Sequence, residues 1–229
     1  MNETINNFKP FDTIAGINQI GEIENYILPE TIIITMDDIW SLYKKKFPKN
    51  IDVYFVNTLE EKELEKEVSK FKNYKMIIGF GGGQALDIAK FFSWKCNLKL
   101  FQFPTSISVD AVFGHRSGIR RGGNVNYIGW AIPECVFLDY EIIQSAPKIY
   151  NYSGIGDVLC FYTGVLDWQY ANKQNKCEGK WSYNSELANK SLGYVEDLLL
   201  NVENIKEMNE EGINAIINAH QWGGNSFFS

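Results

Sequence analysis

An apolar run, Ile77-Ile78-Gly79-Phe80, passes through Gly81-Gly82-Gly83 directly into Gln84-Ala85-Leu86-Asp87-Ile88-Ala89-Lys90. Consecutive glycines let a backbone turn sharply and approach a phosphate closely, and a helix start offers unpaired N–H groups and the positive end of its dipole. That is pyrophosphate-binding chemistry in a strand-to-helix setting, although it is neither a G-x-G-x-x-G fingerprint nor a P-loop. The competing account is a tight turn without a ligand. Asp37 and Asp38 follow an earlier apolar run. A carboxylate there either takes the two hydroxyls of an adenosine ribose or caps a helix, and the residues leave both open. The stretch Phe103-Pro104-Thr105-Ser106-Ile107-Ser108-Val109-Asp110 places hydroxyls and a carboxylate after another apolar run. Such groups face the ligand crevice of an α/β sheet or simply make turns, and taken alone the turn account is the better one. Gly154-Ile155-Gly156-Asp157 opens an apolar helix; Asp157 either caps it or joins histidines from other helices around a metal.

These residues need elements to hold them. Five short runs rich in branched and aromatic residues, 31–35, 52–56, 75–80, 99–103 and 135–139, predict buried strands. Helical patterns lie between them at 37–46, 59–71 and 84–95; in the second, Leu64, Val68 and Phe71 share a face opposite Glu and Lys. Strand–helix alternation predicts a mainly parallel sheet covered on both faces. Arg120-Arg121-Gly122-Gly123-Asn124 breaks the alternation as the turn of a β-hairpin. After about residue 148 only helical patterns remain, near 156–170, 184–200 and 205–222. The expected division is an α/β domain over 1–149 and an all-helical, incomplete domain over 150–229. In the latter Phe161, Leu166, Leu187, Leu192, Leu198, Leu199, Ile213, Ile216 and Ile217 need packing, and exposed apolar surface is expected.

The bulk properties exclude several classes. The chain has 229 residues, 45% hydrophobic and 22% charged, with net charge −6 and no basic stripe, so nucleic acid is a poor partner. No secretory signal is read in Met1 to Pro10, and no run reaches the length of a membrane span. Cys96, Cys135, Cys160 and Cys177 are scattered and read as reduced thiols of a cytoplasmic protein. The histidines are His115 and His220 alone; each is read as a packed, surface or loop residue rather than a ligand. Arg116, Arg120 and Arg121 either meet a substrate phosphate or form a solvated hairpin tip. Trp168, Tyr170, Trp181 and Tyr183 read as helical-domain core rather than pocket lining.

Taken in order, Gly81-Gly82-Gly83 with Asp87-Ile88-Ala89-Lys90, Pro104-Thr105 with Ser108 and Asp110, the run Val136 to Pro147 with Asp139, and Gly154 to Asp157 resemble one family. It is the iron-containing alcohol dehydrogenase and 3-dehydroquinate synthase superfamily, nearest the branch of glycerol dehydrogenase and sn-glycerol-1-phosphate dehydrogenase. The resemblance implies a dehydroquinate synthase-like fold, with a Rossmann-like N-terminal domain and a helical C-terminal one. It implies that Gly81, Gly82, Gly83 and Asp87 hold the pyrophosphate of NAD or NADP and that Thr105 and Ser108 line the nicotinamide side; Asp37 is the candidate for the ribose on the strand-end argument above. Asp110 matches a substrate-contacting aspartate. Asp157 matches the first metal ligand, which also touches substrate; Asp110 and Asp157 are the implied catalytic residues. The implied reaction is hydride transfer between a secondary alcohol and nicotinamide, helped by Zn²⁺, Fe²⁺ or Ni²⁺, on a glycerol-type polyol or glycerol phosphate, in a cytoplasmic homo-oligomer. Dehydroquinate synthases carry Glu where Asp157 stands, which favours the dehydrogenase branch. Gly114 stands where the glycerol-1-phosphate branch often has serine. The family's two metal-binding histidines fall beyond Ser229, so the chain as given is expected to be inactive. The alternatives are a non-catalytic nucleotide-binding fragment and a carbocycle-forming synthase of the same superfamily.

Overall fold

In the computed structural model, residues 12–179 and 182–223 are described. Trp181 of the aromatic group and the polar segment Met1 to Pro10 lie outside the described residues. The chain forms two compact units: Met1–Thr105 with Gly114–Ile143, and Ser106–Phe113 with Gln144–Ser229. The sequence reading placed the division at 149/150 and kept 106–113 in the first domain; by contacts, that short loop groups with the helices instead.

The first unit is a six-stranded parallel sheet in the order β1-β8-β5-β4-β2-β3. Its strands are β1 (Asp12–Gly16), β2 (Thr31–Thr35), β3 (Asp52–Phe55), β4 (Met76–Gly81), β5 (Lys99–Pro104) and β8 (Cys135–Asp139). The five expected strands are present. They read as unbroken apolar runs because alternate residues feed different cores. Ile32, Ile34 and Ile77 pack with Leu64, Phe71, Ile88 and Phe92. Ile33, Met76 and Ile78 pack with Ile20, Phe80, Phe103 and Phe137. β1 was not expected. It is an edge strand with partly exposed residues, paired with β8 from Asp12–Cys135 to Gly16–Asp139.

Helices α1 (Gln19–Glu22), α2 (Asp37–Tyr43), α3 (Glu61–Glu67) and α4 (Gly83–Cys96) connect the strands. As expected, 117–128 is a hairpin, β6 (Ser117–Arg121) with β7 (Asn124–Ile128). Gly122 and Gly123 turn it at φ 57° and 82°, left-handed angles that suit glycine. Helix α5 (Tyr140–Ser145) follows β8.

The second unit contains α6 (Lys148–Lys173), α7 (Ser185–Leu200), α8 (Val202–Glu207) and α9 (Glu210–Asn218), the last running into a π-helical turn, Ala219–Gly223. Asn184 caps α7 by accepting from the N–H groups of Glu186 and Leu187, and Asn209 caps α9 by accepting from Gly212. Phe161, Leu198, Ile213, Ile216 and Ile217 are buried, whereas Leu166 and Leu199 are 42% and 60% exposed, so the expected exposure holds for only part of the set. Trp168 meets Tyr183 edge-on at 5.0 Å between centroids, while Tyr170 is exposed and is not core. Among the described residues no helix is long and apolar enough to cross a membrane.

Candidate functional site

The glycine turn sits where an α/β sheet places a ligand. From β2 the chain steps outward to β3 and then returns across β2 to β4. The two connections diverge between the carboxyl ends of β2 and β4, which opens a crevice at that switch point. The turn Gly81–Gly83 leaves β4 there and Asp37 opens α2 after β2. Gly81 and Gly82 have different reasons to be there. Gly81 has φ 151°, and a Cβ on it would lie 2.9 Å from Ala85 Cβ, so the backbone itself calls for glycine. Gly82 has φ −80° and ψ −176°, open to any residue, and it precedes α4 without a side-chain cap. Its lack of a side chain leaves the helix N-terminus uncapped, and uncapped first-turn N–H groups suit an anion.

Asp37 is exposed at the first position of α2. The capping account is not supported: the N-cap position is Met36 with no side-chain cap, and Asp38 accepts from the N–H of Ile39 at 2.9 Å. Asp87, on α4, pairs with Lys90 at 2.8 Å; its side chain is 17% exposed and that of Lys90 1%. Thr105 is buried, and its N–H donates to the Gly81 carbonyl at 3.0 Å, tying the end of β5 to the glycine turn.

Asp110 and Asp157 meet in the second unit. Asp157 lies in the third turn of α6, because that helix starts at Lys148 rather than near Gly156; it is not an N-cap. Its Oδ2 accepts from the Asp110 N–H at 2.8 Å. Asn151, fully buried, accepts from the Ile107 N–H at 3.0 Å, and Ser153 Oγ donates to the Ser108 carbonyl at 3.3 Å. A Cβ on Gly154 would stand 2.0 Å from the Ile107 oxygen. Residues 151, 154 and 157, at helical spacing, therefore form the seat of loop 106–113. Sequence reading singled out two of the three and missed Asn151; the three-residue spacing was the available signal.

His220 is placed more informatively than expected. It is buried, its Nε2 is 3.0 Å from the Gly154 oxygen, and it lies 4.0 Å from Asp157 Oδ2. Burial pushes its pKa below the usual imidazole value, against the pull of the Asp157 charge and the Gly154 hydrogen bond. Nδ1 is buried with no hydrogen-bond partner. His115 is partly buried against Trp130, with ring centroids 4.9 Å apart. Arg121 pairs with Glu61, Nη2 to Oε1 at 2.9 Å, which lowers the Glu61 pKa and leaves this guanidinium engaged within the protein.

Among the described residues no group of three or more His, Cys, Asp or Glu is placed to hold a metal. Catalytic zinc takes about three protein ligands. Asp157 and His220 do not complete such a set, and His220 Nε2 already faces a carbonyl. The fit to a dinucleotide is better: a glycine turn, an uncapped helix N-terminus and a carboxylate after the neighbouring strand.

A parallel sheet with a glycine turn at its switch point, followed by a helical unit, defines the class: a dehydroquinate synthase-like fold. Residues 36–147 match the profile of the family described as iron-containing alcohol dehydrogenase. A glycerol-1-phosphate dehydrogenase [NAD(P)+] of Pyrococcus abyssi is 30% identical over 224 residues, covering 92% of this chain and 63% of that protein. The same-named protein of Methanococcus maripaludis is 30% identical over 196 residues, covering 85% and 55%. Two solved structures share the fold. A probable glycerol dehydrogenase of Sinorhizobium meliloti has TM-score 0.74 and 16% identity, covering 94% of this chain and 65% of that one. A sulfoacetaldehyde reductase of Bifidobacterium kashiwanohense, in complex with NAD+, has TM-score 0.69 and 17% identity, covering 95% and 65%. Residues 36–147 are thus similar to the iron-containing alcohol dehydrogenases, the family that the ordered motifs resemble, and the chain spans 63% of the length of the Pyrococcus protein.

Proposed function

We propose that this chain is the nucleotide-binding part, with the first substrate-binding residues, of an NAD(P)-dependent oxidoreductase acting on a glycerol-type polyol or sn-glycerol 1-phosphate. The observation that carries the reading is the uncapped turn Gly81–Gly83 at the sheet's switch point. The names of the Pyrococcus and Methanococcus relatives support the substrate class. The first-turn N–H groups of α4 take the pyrophosphate, Asp87 stands beside them, Thr105 and Ser108 line the nicotinamide side, and Asp110 orients the substrate hydroxyls. When bound, the nicotinamide supplies the hydride acceptor. Asp37, exposed after β2, takes the ribose hydroxyls and repels a 2′-phosphate, which favours NAD over NADP. Asp157 is the ligand this chain would contribute to Zn²⁺, Fe²⁺ or Ni²⁺. Such an enzyme would work in the cytoplasm as a homo-oligomer.

The test is titration of NADH and NADPH into the wild type and Gly82→Val, followed by calorimetry. Because the Gly82 backbone angles are open to any residue, the variant should melt like the wild type while its NADH affinity falls by about tenfold or more, through blocked backbone approach. Equal affinities in the two proteins would refute the site. NADH binding with no NAD+- or NADP+-dependent oxidation of glycerol or sn-glycerol 1-phosphate by this chain would support nucleotide binding alone.

A further inference from the structure

We propose that Lys90 is a positioning residue that fastens the returning end of the loop bearing Ser108 and Asp110 to the helix of the glycine turn. The proposal rests on the nucleotide-site reading above and adds to it a residue with no role in binding or chemistry. The chain leaves the α/β unit after Thr105 and re-enters it at Gly114. At the exit, the Thr105 N–H donates to the Gly81 carbonyl at 3.0 Å. At the return, the Lys90 ammonium donates to the Gly114 carbonyl at 3.1 Å and to the Arg116 carbonyl at 2.7 Å, and pairs with Asp87 Oδ1 at 2.8 Å. One residue further on, Ser117 Oγ donates to the Asp87 carbonyl at 2.9 Å. A Cβ on Gly118 would stand 2.9 Å from Asp87 Oδ2, so the strand passes closely over α4.

An ammonium with a side chain 1% exposed is costly to bury without partners. Two of its acceptors here are backbone carbonyls of the re-entering chain. Carbonyl acceptors fix where a chain runs, and a lysine brings three N–H donors to the task. Both ends of the 106–113 excursion are thus tied to the same strand–turn–helix unit, one through Gly81 at the end of β4 and the other through Lys90 in α4. The two flanks of the excursion, at Thr105 and at Gly114, are thus held on the strand–turn–helix segment that carries the nucleotide turn, and Lys90 is the removable pin at the second of them.

The experiment uses the 229-residue chain and Lys90→Met, which keeps the apolar stem and removes the donors. Hydrogen exchange by mass spectrometry reads residues 114–118, and calorimetry reads ADP and NADH. ADP fills the adenosine and diphosphate subsites without reaching the nicotinamide side. The expected result is exchange at 114–118 faster by about tenfold or more, as for loss of charge-assisted hydrogen bonds. NADH affinity should fall by a similar factor, with ADP affinity within about twofold of the wild type. Unchanged exchange at 114–118 would overturn the proposal. Equal losses of ADP and NADH affinity, the signature of a merely structural role, would overturn it as well. Wild-type chain that binds neither nucleotide would sink the nucleotide reading and leave exchange to decide Lys90. If Lys90→Met does not fold, Lys90→Gln, which keeps N–H donors and loses the charge, is read in the same way: faster exchange with NADH weakened more than ADP supports the pin, and equal weakening overturns it.

Discussion

Replacing Gly154 by alanine tests the seat of the 106–113 loop. The new Cβ would lie 2.0 Å from the Ile107 oxygen and 3.0 Å from His220 Cε1. A carbon and a carbonyl oxygen settle at about 3.3 Å or more, so the loop must retreat by more than about 1 Å. That retreat stretches two hydrogen bonds, Ile107 N–H to Asn151 at 3.0 Å and Asp110 N–H to Asp157 at 2.8 Å. Overpacking costs about 1–3 kcal/mol and the two bonds about 1 kcal/mol each, against about 1 kcal/mol gained by alanine over glycine within a helix. The net loss is about 2–4 kcal/mol, or roughly 5–15 °C in melting temperature for a chain of this size. Gly156→Ala is the internal control. It lies on the same helix, is exposed, and its Cβ would meet nothing within 4 Å. That variant should gain about 0.5–1 kcal/mol. Thermal melts followed by tryptophan fluorescence and circular dichroism compare the three proteins. A Gly154→Ala chain that melts with or above Gly156→Ala would show that loop 106–113 does not rest on α6 as described, and the meeting of Asp110 with Asp157 would fall with it.

Two further outcomes are expected. Asp139, fully buried, accepts from the N–H groups of Ile20 at 3.0 Å, Glu141 at 3.1 Å and Ile142 at 3.3 Å, so Asp139→Ala should cost about 2–4 kcal/mol through the lost helix cap and the long-range bond; a urea midpoint unchanged from the wild type would contradict this. Burial, and then the Lys90 charge, hold the His115 pKa below the usual 6.5. Above that value the ring is neutral in both folded and unfolded chains, and as pH falls below it the unfolded chain takes up the proton first, so stability declines. His115→Gln should make the decline from pH 7.5 to 5.5 shallower, and identical pH slopes in the two proteins would refute the assignment.

What could be read without coordinates was what is written locally. The runs at 31–35, 76–80, 99–103 and 135–139 announce central parallel strands because a strand covered on both faces must be apolar at successive positions. Gly81 announces the turn because its positive φ and its close approach to Ala85 both require a missing side chain. Edge strand β1 was invisible for the complementary reason: Asp12-Thr13-Ile14-Ala15-Gly16 is partly exposed and carries neither a continuous nor an alternating apolar pattern. Periodicity also misplaced the start of α6, because Asn151 and Gly154 look like loop residues until the chain that packs on them is known.

By itself, then, the sequence determined the α/β-then-helix order and the glycine turn, since each depends on neighbours a few positions away. Only the tertiary structure decided the strand order that puts the crevice between β2 and β4. It also joined Asp110 to Asp157 across 47 residues, His220 to Gly154 across 66, and Lys90 to the carbonyls 24 and 26 residues ahead. The physical reason is that a buried polar group must find its partner wherever the folded chain brings one within hydrogen-bond distance. No local pattern of residue types records which distant segment that will be.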